Sequence, residues 1–82
     1  IEDDQTLGET LRDRLQREGY SVELCPDLKS AESAFTGSQF NLVIVDVGLP
    51  DGSGFDFAKA IRRRSTVPFI FVTAQSGTGD RL

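Results

Sequence analysis

Acidic or hydroxyl side chains follow apolar residues in three places, at the end of a run in two of them. Glu2, Asp3 and Asp4 follow Ile1, Asp46 follows Leu42-Val43-Ile44-Val45, and Thr73 follows Phe69-Ile70-Phe71-Val72. Apolar runs of that kind mark strands buried on both faces, as in parallel sheets. In an open parallel sheet, functional groups gather in the crevice outside the carboxyl ends of the strands. If the three strands are neighbours, their terminal groups meet in one pocket. Carboxylates brought together repel one another, and a hard cation with oxygen ligands offsets that repulsion. Taken singly, each element has an ordinary structural role. An acidic chain start is a solvated loop, an Asp after a strand is a turn or cap residue, and Thr73 is a β-branched strand residue. Pro50 and Gly54 are turn residues by default. The ordered combination carries the chemical meaning.

The elements that must position these groups can be read from spacing. Leu7, Leu11 and Leu15 recur every four residues among polar neighbours, and Gly19 follows as a stop signal, so an amphipathic helix of about three turns is expected there. Asp4 is placed to cap it. Tyr20-Ser21-Val22-Glu23-Leu24 alternates with period two, as a half-buried strand does, until Pro26. Asp27 is a suitable N-cap for a short helix with Ala31, Ala34 and Phe35 on one face, closed by Gly37. The run from Phe40 to Val45 predicts a strand ended by Asp46. Gly48-Leu49-Pro50-Asp51-Gly52-Ser53-Gly54 is dense in turn formers and predicts a loop. Phe55, Ala58 and Ile61 mark the next helix. Pro68 to Val72 predicts another strand, and Gly77 and Gly79 return the chain to loop or a helix start. Strands alternating with helices imply an α/β fold, a parallel sheet with helices on both faces.

The chain has 82 residues, a formal net charge of −4, no His and one Cys. One domain with a modest core fits that length. The acidic balance argues against a nucleic-acid surface on this segment, because phosphate backbones are met by clustered Lys and Arg. Arg62-Arg63-Arg64 is read as a solvated helix end favourable to the helix dipole. The lone Cys25 allows no internal disulfide and no Cys-based metal site, which suits a reducing, cytoplasmic setting, and it is expected to be an inert packed thiol. No run approaches the roughly 18 apolar residues of a membrane span. Starting without Met and stopping in a polar stretch, the chain reads as a piece of something longer.

Ile1-Glu2-Asp3-Asp4, then Val43 through Gly54, then Val67-Pro68-Phe69-Ile70-Phe71-Val72-Thr73-Ala74 resemble, along the whole chain, the receiver domain of two-component response regulators. The Leu49-Pro50-Asp51-Gly52 segment is most similar to the class that carries a winged-helix DNA-binding domain after the receiver. The resemblance implies a flavodoxin-like, three-layer fold with a central parallel sheet in the order 2-1-3-4, truncated before the fifth strand. Residues 1–82 would be a partial receiver, lacking the start of strand one and most or all of the last helix-strand-helix segment. It makes Asp46 the phosphoryl acceptor, with Asp3, Asp46 and the Gly48 carbonyl as direct Mg2+ ligands and Glu2 acting on the ion's water shell. Thr73 would be the switch residue that bonds the phosphoryl oxygen, and Ala74 would keep the pocket open. The family's phosphoryl-binding Lys on a fifth strand has no matching position. The implied partners are a sensor histidine kinase, a second copy of the intact receiver, and DNA through a separate C-terminal domain, with no membrane. Thr6 and Glu9 are weakly implicated in kinase docking. Catalysis extends at most to the domain's own phosphorylation and dephosphorylation.

Elementary chemistry agrees with that transfer. A carboxylate attacking a phosphoryl donor approaches negative charge, and a cation with fixed donors offsets the charge spread over the equatorial oxygens. Magnesium takes few protein ligands, which suits two carboxylates and a carbonyl better than calcium's larger shell. Gly48 and Pro50 stand where an EF-hand would place side-chain oxygens, and Gly52-Ser53-Gly54 lacks the spacing of a nucleotide phosphate loop. Two rivals remain open. An aspartate-nucleophile phosphatase would place a second Asp two residues after the first, where Gly48 stands. A receiver-like interaction module that is not phosphorylated would not need the Glu2, Asp3, Asp46 and Thr73 set.

Overall fold

In the computed structural model, residues 1–72 are described, and the expectations for Thr73, Ala74, Gly77 and Gly79 lie outside them. The elements run α1 (Gln5–Arg17), α2 (Leu28–Gly37), β1 (Val43–Asp46), β2 (Gly48–Leu49), β3 (Gly52–Ser53), α3 (Gly54–Arg62) and β4 (Phe69–Val72). Each helix begins on a side chain that accepts an otherwise orphaned backbone N–H. Asp4 accepts from Leu7, Asp27 from Ser30 and Ser53 from Phe55. At its other end α1 closes where Gly19, at φ 96°, donates to Gln16 and Tyr20 donates to Leu15. Arg14 and Arg17 in the last turn of α1, and Lys59 and Arg62 in that of α3, face the negative ends of their helices.

The strands β1 and β4 pair in parallel, with Val43 opposite Phe69 and Asp46 opposite Val72. On the other side of β1, the N–H of Ile1 donates to Ile44 and the N–H of Asp46 donates to Ile1, which is a parallel pairing centred on Ile1 and Val45. Beyond Ile1, Glu2 donates to the carbonyl of Cys25. The backbone order is therefore the Cys25 segment, Ile1–Glu2, β1, β4, which is the expected 2-1-3-4.

Three expectations are corrected. Tyr20 to Leu24 forms no ladder among the described residues; Tyr20 donates back to Leu15 of α1, and the bond from Glu2 falls just beyond the segment, at Cys25. The Phe40–Val45 strand begins at Val43, since Phe40 instead stacks on Phe35 with centroids 6.0 Å apart. The stretch read as loop contains a small antiparallel hairpin, β2 against β3, with Gly48 opposite Ser53.

The core lies between the sheet and the α2/α3 layer. Cys25, Ala31, Phe57, Ile61 and Val67 are buried together, with Val43 and Phe69 of the sheet packed against them. Phe57 and Ile61, one turn apart, form the buried stripe of α3. Phe55, expected on that face, is exposed and lies against Phe71, centroids 4.6 Å apart. A hollow of about 780 Å³ is lined by Leu11 and Leu15 of α1 and by Leu42, Ile44, Ile70 and Val72, and extends to Ala34 and Phe35 of α2. The leucine face of α1 is for that reason only partly buried, with Leu11 40% exposed. Cys25 is a free, buried thiol, and burial holds its pKa above the ordinary thiol value.

Candidate functional site

The pairing of Ile1 with Val45 decides the site. With those two residues side by side, the next residues on each strand, Glu2 and Asp46, emerge together at the carboxyl end of the sheet. Carboxylate oxygens of Glu2, Asp3 and Asp46 all lie within 4.8 Å of one another. Asp46 is 1% exposed and Glu2 is 5% exposed, whereas Asp3 is open to solvent. Two buried carboxylates beside a third are costly unless something compensates them.

Backbone donors supply part of that compensation. The N–H of Gly48 donates to Asp46 Oδ1 at 3.2 Å, and the N–H of Asp4 donates to Glu2 Oε2 at 3.0 Å. The remaining Glu2 oxygen, Oε1, is buried with no hydrogen-bond partner among the described residues. Burial pushes the Glu2 pKa up; the Asp4 N–H pulls against it, and the charges of Asp46 and Asp3 push it further up. A buried acceptor without a donor among the described residues, on a side chain grouped with two further carboxylates, has the electrostatics of a cation position. Glu2, Asp3 and Asp46 fit a hard, oxygen-seeking ion on that ground.

The start of α3 closes the site from below. Gly54 is buried and donates to Val47 at 3.0 Å. A methyl group there would stand 2.6 Å from the carbonyl oxygen of Asp46 and 3.0 Å from a Val45 methyl, so only a glycine lets α3 begin this close to β1.

Glu2, Asp3 and Asp46 are thus brought together as the sequence predicts, and Asp4 caps α1. Gly48, expected to offer its carbonyl, is exposed in β2 and contributes its N–H to Asp46. Thr73 and Ala74 lie outside the described residues. Thr6 is exposed on α1, while Glu9 is half-buried and accepts from the Gln5 side chain at 3.0 Å. The triple-arginine end of α3 is solvated, with two of its members held by the protein. Arg62 lies 5.3 Å from the centre of the Phe69 ring, and Arg64 lies over Phe35 and pairs with Glu32.

One residue was not singled out from the sequence. Asp51, at the tip of the β2–β3 hairpin, accepts the N–H of Leu28 at 2.9 Å and of Lys29 at 3.0 Å. Its place after Pro50 marks a turn, and nothing local marks a contact to α2.

Comparison with known proteins agrees with this geometry. A family model described as the response regulator receiver domain matches residues 1–82. The transcriptional regulatory protein RprY of Bacteroides fragilis is 41% identical over 99% of this chain, and the response regulator protein PmrA of Pseudomonas aeruginosa is 37% identical over 99%. The chain spans 35% and 37% of their lengths. The non-phosphorylated HemR receiver domain from Leptospira biflexa superimposes with a TM-score of 0.82 at 44% identity, covering 98% of this chain and 65% of that one.

Proposed function

The chain belongs to the response regulator receiver family, and we propose that Asp46 is its phosphoryl acceptor, charged by a sensor histidine kinase in a two-component phosphorelay. The observation that carries this reading is the buried Asp46 carboxylate beside Glu2, whose Oε1 has no partner among the described residues.

Glu2, Asp3, Asp46 and the Gly48 carbonyl would hold Mg2+, with Glu2 acting through the ion's water. When bound, the ion supplies positive charge that offsets repulsion between the carboxylates and the incoming phosphoryl oxygens. The chain's own residues do the rest. The Gly48 N–H on Oδ1 fixes the orientation of the Asp46 carboxylate, so that its attack needs little reorganisation. An Asp46 oxygen forms the new P–O bond as the donor's P–N bond breaks, and the electron pair of that bond leaves with the imidazole nitrogen. Near-complete burial of Asp46 limits the access of bulk water to the resulting acyl phosphate. The Thr73 hydroxyl would bond the phosphoryl oxygen and bias the receiver between two conformations, a population shift.

The output is proposed to be transcription, through a DNA-binding domain outside these residues, in a cytoplasmic protein. Among the described residues no helix is long and apolar enough to cross a membrane. The test is labelling of the full-length protein with acetyl phosphate and magnesium, followed by intact mass. Wild type should gain one phosphoryl group and Asp46→Asn none. Label retained in that variant would move the acceptor, and an unlabelled wild type would favour a receiver-like module used for contact alone.

A further inference from the structure

Asp51 joins two parts of the molecule that are far apart in the chain. Its two carboxylate oxygens accept the first backbone N–H groups of α2, from Leu28 and Lys29, at 2.9 and 3.0 Å. Those donors have no intrahelical partner. The helix already has its own cap, since Asp27 accepts from Ser30 N at 2.8 Å. A second carboxylate from a hairpin is therefore not needed to start α2, and its consequence is felt at the other end of the contact. The hairpin carrying Asp51 is two residues per strand, too short to be stable alone. It is held at its base by Gly54 N to Val47 O, in its middle by the buried Leu49, and at its tip by Asp51 on α2. The first residue of that hairpin is Gly48, whose N–H orients Asp46.

We propose that Asp51 is a positioning residue for the magnesium site: by pinning the hairpin tip to the N-terminus of α2, it sets where the Gly48 backbone stands relative to Asp46. This rests on the reading of Asp46 and its neighbours given above. With the anchor removed, Gly48 samples positions in which its N–H leaves Asp46 and the carboxylate loses its fixed orientation. Metal binding then includes the cost of re-ordering the hairpin.

The test uses the full-length protein and two readouts: the amide resonance of Gly48 without metal, and magnesium affinity by titration. Losing a capping contact of this kind corresponds to roughly a five-fold weaker affinity, so Asp51→Ala should bind magnesium about that much less tightly and shift the Gly48 amide. Asp51→Asn keeps one oxygen acceptor and should recover most of the affinity. Asp27→Ala is the control, because it removes the other cap of α2 without touching the hairpin. It should lower thermal stability and leave both readouts at wild-type values. If Asp51→Ala binds magnesium normally with an unmoved Gly48 amide, the proposal is overturned, whatever its melting temperature. Equal weakening by Asp27→Ala overturns it too, since helix stability would then explain the effect. Wild type that binds magnesium but is labelled elsewhere than Asp46 overturns the functional reading and leaves the Asp51 comparison decisive on its own. Wild type that binds no magnesium overturns both.

Discussion

Replacing Gly54 with Ala puts a single methyl group against backbone rather than against a side chain. The added carbon would stand 2.6 Å from the Asp46 carbonyl oxygen, 3.0 Å from a Val45 methyl and 3.2 Å from the Val47 Cα. A comfortable carbon–oxygen approach is about 3.3 Å or longer, so the start of α3 must retreat by roughly 0.7 Å. Neither the carbonyl nor the Val47 Cα can rotate out of the way, because β1 is held on both sides by Ile1 and β4. Overpacking of this kind costs about 1–3 kcal/mol, which in a domain of this size lowers the melting temperature by roughly 5–20 °C. Because Gly54 donates to the Val47 carbonyl, the same retreat pulls on the segment just after Asp46 that carries the Gly48 N–H, and misplacement there by a fraction of an ångström should slow labelling by acetyl phosphate by at least about ten-fold. Gly8→Ala is the matched control. Its methyl would meet Leu24 Cδ1 at 2.9 Å, the end of a side chain bordering an open hollow, and alanine gains about 1 kcal/mol of helix propensity over glycine. Thermal melts and labelling rates of the two variants in the full-length protein decide the matter. A Gly54→Ala protein that melts and labels like wild type would show that the contact at Asp46 is not tight.

Four further outcomes follow from the same geometry. Magnesium at about a hundred times its dissociation constant should stabilise the receiver by roughly 2.7 kcal/mol, read as a rise in melting temperature that Asp46→Asn diminishes. Glu2→Gln removes one of the two buried charges and should raise the melting temperature of the metal-free protein while weakening magnesium binding; a loss of both would mean that Glu2 is held by attraction rather than strained by repulsion. Glu32→Ala should change stability by less than about 1 kcal/mol, because its pair with Arg64 is exposed on both sides. Hydrogen bonds from Ser30 hold the Asp27 carboxyl below its ordinary value of 3.8. Its contribution is then fully present above pH 3.8 and lost as pH falls through the lower folded value, so acid titration should show a component of destabilisation below that point that is missing in Asp27→Asn.

Some of this structure was legible in the sequence because the signal was local. Asp27 and Gly37 bracket α2 since a cap and a stop are properties of single residues and their immediate neighbours. The carboxylate cluster was legible because strand ends in a parallel sheet face one crevice, whatever the details of the strands. Other features depend on partners that spacing does not reveal. The alternation from Tyr20 to Leu24 says which side chains share a face, but a ladder also needs backbone partners, and the bond that Glu2 makes on that side falls at Cys25. Phe55 fits a helical stripe with Ala58 and Ile61, yet Phe57 and Ile61 occupy the core and Phe55 finds Phe71 instead. The hairpin β2–β3 is shorter than any period that could announce it. The contact of Asp51 with α2 spans more than twenty residues and carries no local mark.

The charges of the site do not choose their own positions. Asp46 and Glu2 are each delivered by a sheet residue, Val45 and Ile1, whose pairing is a matter of backbone hydrogen bonds. Each carboxylate is then oriented by a backbone N–H, of Gly48 and of Asp4 respectively. Asp4 serves twice, since its N–H holds Glu2 while its side chain starts α1. The four residues Ile1 to Asp4 thus complete a strand pairing, supply two carboxylates and launch a helix, with each task fixed by a different atom. The scaffold and not mutual attraction sets this arrangement, at the expense of repulsion and of an acceptor, Glu2 Oε1, that no donor among the described residues meets. A cation bound there as proposed would have little to reorganise, and its affinity would come from relieving a repulsion that the fold has already accepted.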